Sequence, residues 1–194
     1  MPRKSMAKQR REELLDAFER CIIKYGLEGT SLEQVADEAQ MTRSIIRHYI
    51  GNRDDLVSAL IDRLIRQYAE QLTENYADIP PEQMVSYAVD NMFSQKDALS
   101  VREKIIIDVL MTAKERYPDA KKKLIQMYDA VIQSFASDLE RQYPNATQAQ
   151  CWQIAYAVVC ISEMNETFMW LGMNPRYHAD ARQVAENLLA SLNS

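Results

Sequence analysis

Glycine, proline and histidine are scarce in this 194-residue chain, which holds four, six and two of them. Four isolated glycines leave no loop able to cradle a phosphate. The two histidines, His48 and His178, and three scattered cysteines, Cys21, Cys151 and Cys160, do not fall at metal-ligand spacing. An odd, dispersed set of cysteines also argues against a disulfide framework. Long apolar runs are missing too. The longest, Ile154 to Ile161, is far short of the ~20 residues that cross a bilayer, and no signal-peptide pattern opens the chain. No carboxylate has an obvious histidine or metal partner for acid–base work. These absences exclude a membrane span, a disulfide-stapled secreted domain and most enzyme classes. The expectation is a soluble, cytoplasmic, mostly helical protein without cofactor, metal or catalytic residues.

What is present is unevenly charged. The net charge is −5, yet residues 1–53 carry ten Lys/Arg against eight Asp/Glu, and the rest thirteen against twenty. Within the first eleven residues Arg3, Lys4, Lys8, Arg10 and Arg11 meet no acidic residue. Local charge, not the total, governs contact with a polyanion. The basic arm therefore reads either as an ordinary tail or as a phosphate contact.

Directly behind that arm lies SLEQVADEAQMTRSIIRHYIGNR, Ser31 to Arg53. Ser31 with Gln34 forms a capping box, in which hydroxyl and amide satisfy each other's backbone N–H groups. Leu32, Val35, Ala36 and Ala39 then recur at helical spacing. Thr42 is placed to cap a second short helix, whose Ile45, Ile46, Tyr49 and Ile50 face inward. That leaves Arg43, Ser44, Arg47 and His48 outward. A short helix anchored on its apolar side and presenting arginines, hydroxyls and an imidazole suits a DNA major groove. The segment reads as a helix-turn-helix.

Periodicity and stop signals predict an all-α chain of nine helices. The first runs from near Ala7 to Tyr25, with Gly26 as a left-handed cap. After the two short helices, Asn52 opens a long fourth to about Tyr76. Pro81 starts a fifth to about Gln95, and a sixth spans about Leu99 to Arg116. Pro118 opens a seventh that ends before Tyr143-Pro144. Thr147 and Gln150 form another capping box and start an eighth, reaching about Gly172. Asn174-Pro175 starts the last. Two domains are expected: residues 1–53, a basic arm and three-helix DNA-binding bundle, and residues 54–194, a helical effector-binding and dimerisation domain.

The stretch from about Arg11 to Leu60, REELLDAFERCIIKYGLEGTSLEQVADEAQMTRSIIRHYIGNRDDLVSAL, resembles the TetR family of bacterial transcriptional repressors. Gly26, Thr30-Ser31, the recognition-helix positions Thr42 to Ile50, and Arg53 carry the resemblance, and IIRHYIGNR is nearest the branch that controls betaine synthesis and responds to choline. The resemblance implies phosphate contacts from Ser31, Thr42, Tyr49 and Arg53. Arg43, Ser44 and Arg47 are the candidates for base edges, and His48 shares their face. Two positions depart from the family pattern: Gln40 stands where glycine is usual in the turn, and Arg47 where tyrosine is usual.

The acidic remainder is rich in methionine and aromatics. Ile154 to Ile161 is apolar all round, so it needs cover on more than one side. A second copy of the chain is one candidate, with Val158, Ile161, Ala181, Val184, Leu188 and Leu192 as interface. A two-fold homodimer holds two recognition helices roughly 34–36 Å apart for a palindromic operator on double-stranded DNA. For an effector, Trp152, Tyr156, Glu163 and Trp170 share a stripe, and a carboxylate among aromatics suits a cationic ligand. Asp108 and the adaptable Met92, Met111 and Met127 complete the candidate pocket. The function expected is a ligand-released repressor. The rivals are a helical ligand- or partner-binding protein, or a nonspecific nucleoid-type DNA binder.

Overall fold

Short local signals set most helix boundaries in the computed structural model, which describes residues 3–94, 105 and 116–193. Helix α1 covers Arg3–Gly29 and is broken at Gly26, whose φ of 73° and ψ of 165° leave helical space. Glycine takes that left-handed backbone without steric cost, so the helix proper stops where the sequence predicts. Helices α2 (Leu32–Glu38) and α3 (Arg43–Tyr49) follow. Helix α4 spans Arg53–Tyr76, and Asn52 Oδ1 caps it by accepting from the backbone N–H groups of Asp54 (2.7 Å) and Asp55 (3.0 Å). A 3₁₀ turn at Pro81–Gln83 leads into α5 (Met84–Met92). Helix α6 is Pro118–Gln142, α7 is Gln148–Trp170 and α8 is Arg176–Ala190. Among the described residues there is no strand. The expected helix between about 99 and 116 lies outside them, apart from helical Ile105 and Arg116.

Packing divides the chain within α4 and within α6. One unit comprises residues 1–69 and 100–125, the other 70–99 and 126–194. Arg53 to Ala69 thus packs with the helix-turn-helix, although the sequence places a domain boundary after Arg53. Burial of Leu56, Val57, Leu60, Ile61 and Leu64 accounts for this, together with one cation. Arg63 is only 3% exposed, and its guanidinium meets Asp16 at 2.6 Å, Glu19 at 2.6 Å and Glu12 at 3.5 Å, all on α1. A buried charge is tolerable only when paired in this way.

The second unit has its own core, in which Val85, Val89 and Phe93 pack with Phe135, Leu139, Ala155 and Leu189. Val158 and Leu192 are buried in this same core, and Ile161 and Ala181 are half-buried against it. That corrects the expectation that Val158 and Leu192 face a second copy. Because Ile154 to Ile161 is apolar all round, its pattern leaves the rotation of the helix undetermined; the core takes the Val158 side. The outward apolar residues among those described are instead Trp152, Tyr156, Met164 and Phe168 on α7 and Tyr177 and Val184 on α8.

The same rotation places the residues of the effector stripe. Trp152 is 45% and Tyr156 56% exposed, so neither lines an interior pocket within this unit. Glu163 is also exposed, and its Oε2 accepts a 3.0 Å hydrogen bond from the Tyr128 hydroxyl. Met92 and Met127 are half-buried, Met92 against the core. Asp108, Met111 and the side chain of Trp170 lie outside the described residues.

Candidate nucleic-acid interface

Two seven-residue helices form the site, and each is anchored by one apolar side. Ser31 caps α2 as a full box: its Oγ accepts from the Gln34 backbone N–H at 3.2 Å, while its own N–H donates to Gln34 Oε1 at 2.7 Å. Val35 and Ala36 are buried beneath. Ion pairs from Arg20 (2.7 Å) and Lys24 (2.8 Å) to Glu38 tie α2 to α1. Hydrogen bonds from Lys24, then Arg20, hold the Glu38 carboxyl below its ordinary value.

The turn between α2 and α3 has one unusual residue. Gln40 has a φ of 53°, the single positive value outside glycine among the described residues. Left-handed backbone crowds a Cβ and is favoured by glycine. The departure from the family's glycine therefore keeps the turn geometry and bears its strain.

Helix α3 pins itself through fully buried Ile46, with Ile45, Tyr49 and Ile50 half-buried, and leaves Arg43, Ser44, Arg47 and His48 exposed. This is the outward face that the periodicity predicts. Thr42 stands at the N-cap with extended backbone, but its hydroxyl makes no cap bond. It shares a 2.7 Å hydrogen bond with the Ser44 hydroxyl instead, which corrects its expected capping role. The Tyr49 ring meets His48 edge-on, with centroids 4.8 Å apart. Beside α3, an open depression of about 400 Å³ is bordered by Arg10 of α1 as well as Gln40, Ser44, His48 and Tyr49. One arginine of the basic arm thus lies next to the exposed helix face.

Arg53 differs most from expectation. It is 19% exposed by side chain, and its guanidinium turns inward. Nη2 donates to the Leu27 carbonyl at 2.5 Å, Nη1 to the Thr30 carbonyl, and Nε to the Tyr117 hydroxyl at 3.1 Å. Tyr117 is buried and donates in turn to Glu28 Oε1 at 2.9 Å. Burial pushes its phenol above the ordinary value, against the opposing donation from Arg53. The Leu27 and Thr30 carbonyls that follow the break at Gly26 both accept from this one fork, because five fixed donors suit several acceptors at once. Arg53 here is a clamp at the α1–α2 corner rather than the outward cation that the resemblance implies.

Sequence reasoning missed Glu33. Its Oε1 accepts from Arg43 Nη1 at 2.6 Å, across the two helices. No spacing rule marks such a pair, since it depends on how α2 crosses α3.

Two short helices around a left-handed turn thus present a cationic outer face. Residues 14–60 match the model of bacterial regulatory proteins of the tetR family. Over residues 14–60 the chain is similar to the TetR family. Over 66 residues it is 39% identical to the HTH-type transcriptional regulator BetI of Burkholderia thailandensis. That match takes in 34% of each chain, so this protein spans about a third of the length of the curated relatives it matches. Its fold extends further. A TetR transcription regulator from Haloarcula marismortui superposes with a TM-score of 0.79 at 15% identity, over 95% of this chain and 98% of that one. A transcriptional regulator from Saccharomonospora viridis, solved in complex with choline, gives 0.79 at 12% identity, over 94% and 96%. At such identities the TetR likeness beyond the first 60 or so residues is one of fold.

Proposed function

We propose that this protein is a cytoplasmic, DNA-binding transcriptional regulator that binds a palindromic operator as a homodimer and is released by a small molecule. Residues 1–53 read the DNA, and residues 54–194 pair and sense. The observation that carries this reading is the exposed face Arg43–Ser44–Arg47–His48 on a helix pinned by Ile46. Arginine forks suit guanine edges and phosphates, while hydroxyls and imidazole suit either. Ser31, Thr42 and Tyr49 flank that face as phosphate contacts.

For pairing, the exposed Trp152 and Tyr156, four residues apart on α7, and the exposed Val184 on α8 supply apolar area for a second copy to cover. In the effector role we place a small cation, with choline as the first probe. The support is the choline bound by the Saccharomonospora relative and the BetI-type sequence of the reading domain. Release requires that the cation bind two arrangements of the protein with different affinities, since equal affinity shifts nothing.

The test is binding to DNA from upstream of the chain's own gene, titrated against salt, with Arg43→Ala and Arg47→Ala alongside and choline added last. A specific regulator shows steep salt dependence, and each arginine variant weakens binding, by about 1–3 kcal/mol where a base contact is lost and with a lower salt slope where a phosphate contact is lost. Salt-sensitive binding without sequence preference identifies a nucleoid-type binder instead, and no binding at all leaves a helical ligand- or partner-binding protein.

A further inference from the structure

The two arginines on α3 are not equivalent. Arg47 makes no ion pair with any described residue, whereas Arg43, at the first position of α3, donates to Glu33 at 2.6 Å. Both partners are open to solvent, 48% and 69% exposed by side chain. An exposed pair of this kind contributes little to folding. Its carboxylate is also unfavourable toward a polyanion, because it sits against an arginine of the proposed DNA-reading face. Of the three acids on α2, Glu38 is tied to α1, Asp37 is exposed, and Glu33 reaches across to the recognition helix.

We propose that Glu33 is a specificity-positioning residue: its carboxylate fixes the Arg43 guanidinium in one orientation so that Arg43 reads a guanine edge. This rests on the DNA-reading function proposed above. Arg43 has five N–H donors in a rigid fork, and Glu33 occupies one on Nη1, leaving the others for a bidentate contact to guanine O6 and N7. When DNA displaces water from this surface the effective dielectric falls, and the ion pair tightens rather than dissolves. An unrestrained arginine would instead drift to the nearest phosphate, which carries no sequence information. Arg47, lacking such a tether, takes that phosphate role. Glu33 therefore weakens attraction to any duplex and sharpens preference among duplexes.

Selection from a randomised duplex pool, with sequencing of the bound fraction, tests this on the full chain. It is run for wild type, Glu33→Gln, Glu33→Ala, Arg43→Ala and Arg47→Ala. Wild type should select guanine at one position per half-site, and Arg43→Ala should erase it. Glu33→Ala should flatten that same position about tenfold, keep the others, and bind an unrelated duplex about two- to fivefold tighter. Glu33→Gln, which keeps side-chain size, should fall between. Arg47→Ala should weaken all sequences alike and lower the salt slope by about one per half-site. The proposal is overturned if either Glu33 variant keeps the Arg43-dependent guanine at full strength, or binds the unrelated duplex more weakly. It is also overturned if preference falls evenly at every position while the thermal melt is unchanged. A wild type that selects no sequence refutes the regulator reading itself, which separates the two failures.

Discussion

Arg53 can serve the fold or the DNA, and exchanging it for lysine or methionine separates the two. Its guanidinium supplies two backbone carbonyls, Leu27 and Thr30, and the Tyr117 hydroxyl. A hydrogen bond from a charged donor contributes roughly 1.5–3 kcal/mol, and the Leu27 carbonyl keeps a second donor in the Thr30 backbone N–H. The three bonds do not sum, because the side chain is 19% exposed and water recovers part of each. Arg53→Met should therefore cost about 3 kcal/mol. Arg53→Lys keeps the charge but replaces the fork by a point donor, so it should cost about 1–2 kcal/mol. Urea denaturation followed by far-UV circular dichroism measures both, at low and high salt. Salt should change little, since a partly buried contact is poorly screened. The reasoning is refuted if both variants unfold at the wild-type midpoint while Arg53→Met lowers the salt slope of DNA binding. In that case the arginine works on phosphate.

Two further outcomes follow from backbone and surface. With φ at 53°, Gln40→Gly should relieve about 1 kcal/mol of crowding and give back roughly half through a freer unfolded chain, whereas Gln40→Val should destabilise by about 1 kcal/mol or more; a valine variant melting with or above the glycine one contradicts the strain. Tyr156→Glu places a charge on the exposed apolar patch of α7 and should weaken pairing by about 2 kcal/mol or more, seen as monomer in sedimentation velocity with an unchanged dichroism spectrum. Unaltered sedimentation would remove α7 from the pairing surface.

Local chemistry made much of this chain legible. The capping boxes at Ser31–Gln34 and Thr147–Gln150 both form, Gly26 breaks α1, and Pro118 starts α6. Each signal works within four residues, so no tertiary information is needed to read it. The recognition helix was equally readable, because one buried isoleucine at helical spacing decides which side faces out. Where a residue had several possible partners, the sequence was silent. Thr42 had a backbone N–H or Ser44 to choose from and took Ser44; Arg53 had phosphate or carbonyls and took carbonyls.

The sequence by itself thus determined the helical class, most helix ends, the helix-turn-helix and its outward arginines, through signals that act over one or two turns. Tertiary structure alone decided the rest. It set the rotation of α7, whose uniformly apolar stretch favours no face until a core claims Val158 and leaves Tyr156 outside. It also set the pairing of Arg43 with Glu33 and of Arg63 with Asp16 and Glu19. Charges find partners across helices according to distance in space, and a separation of ten or forty-seven positions along the chain carries no periodicity from which that distance can be read.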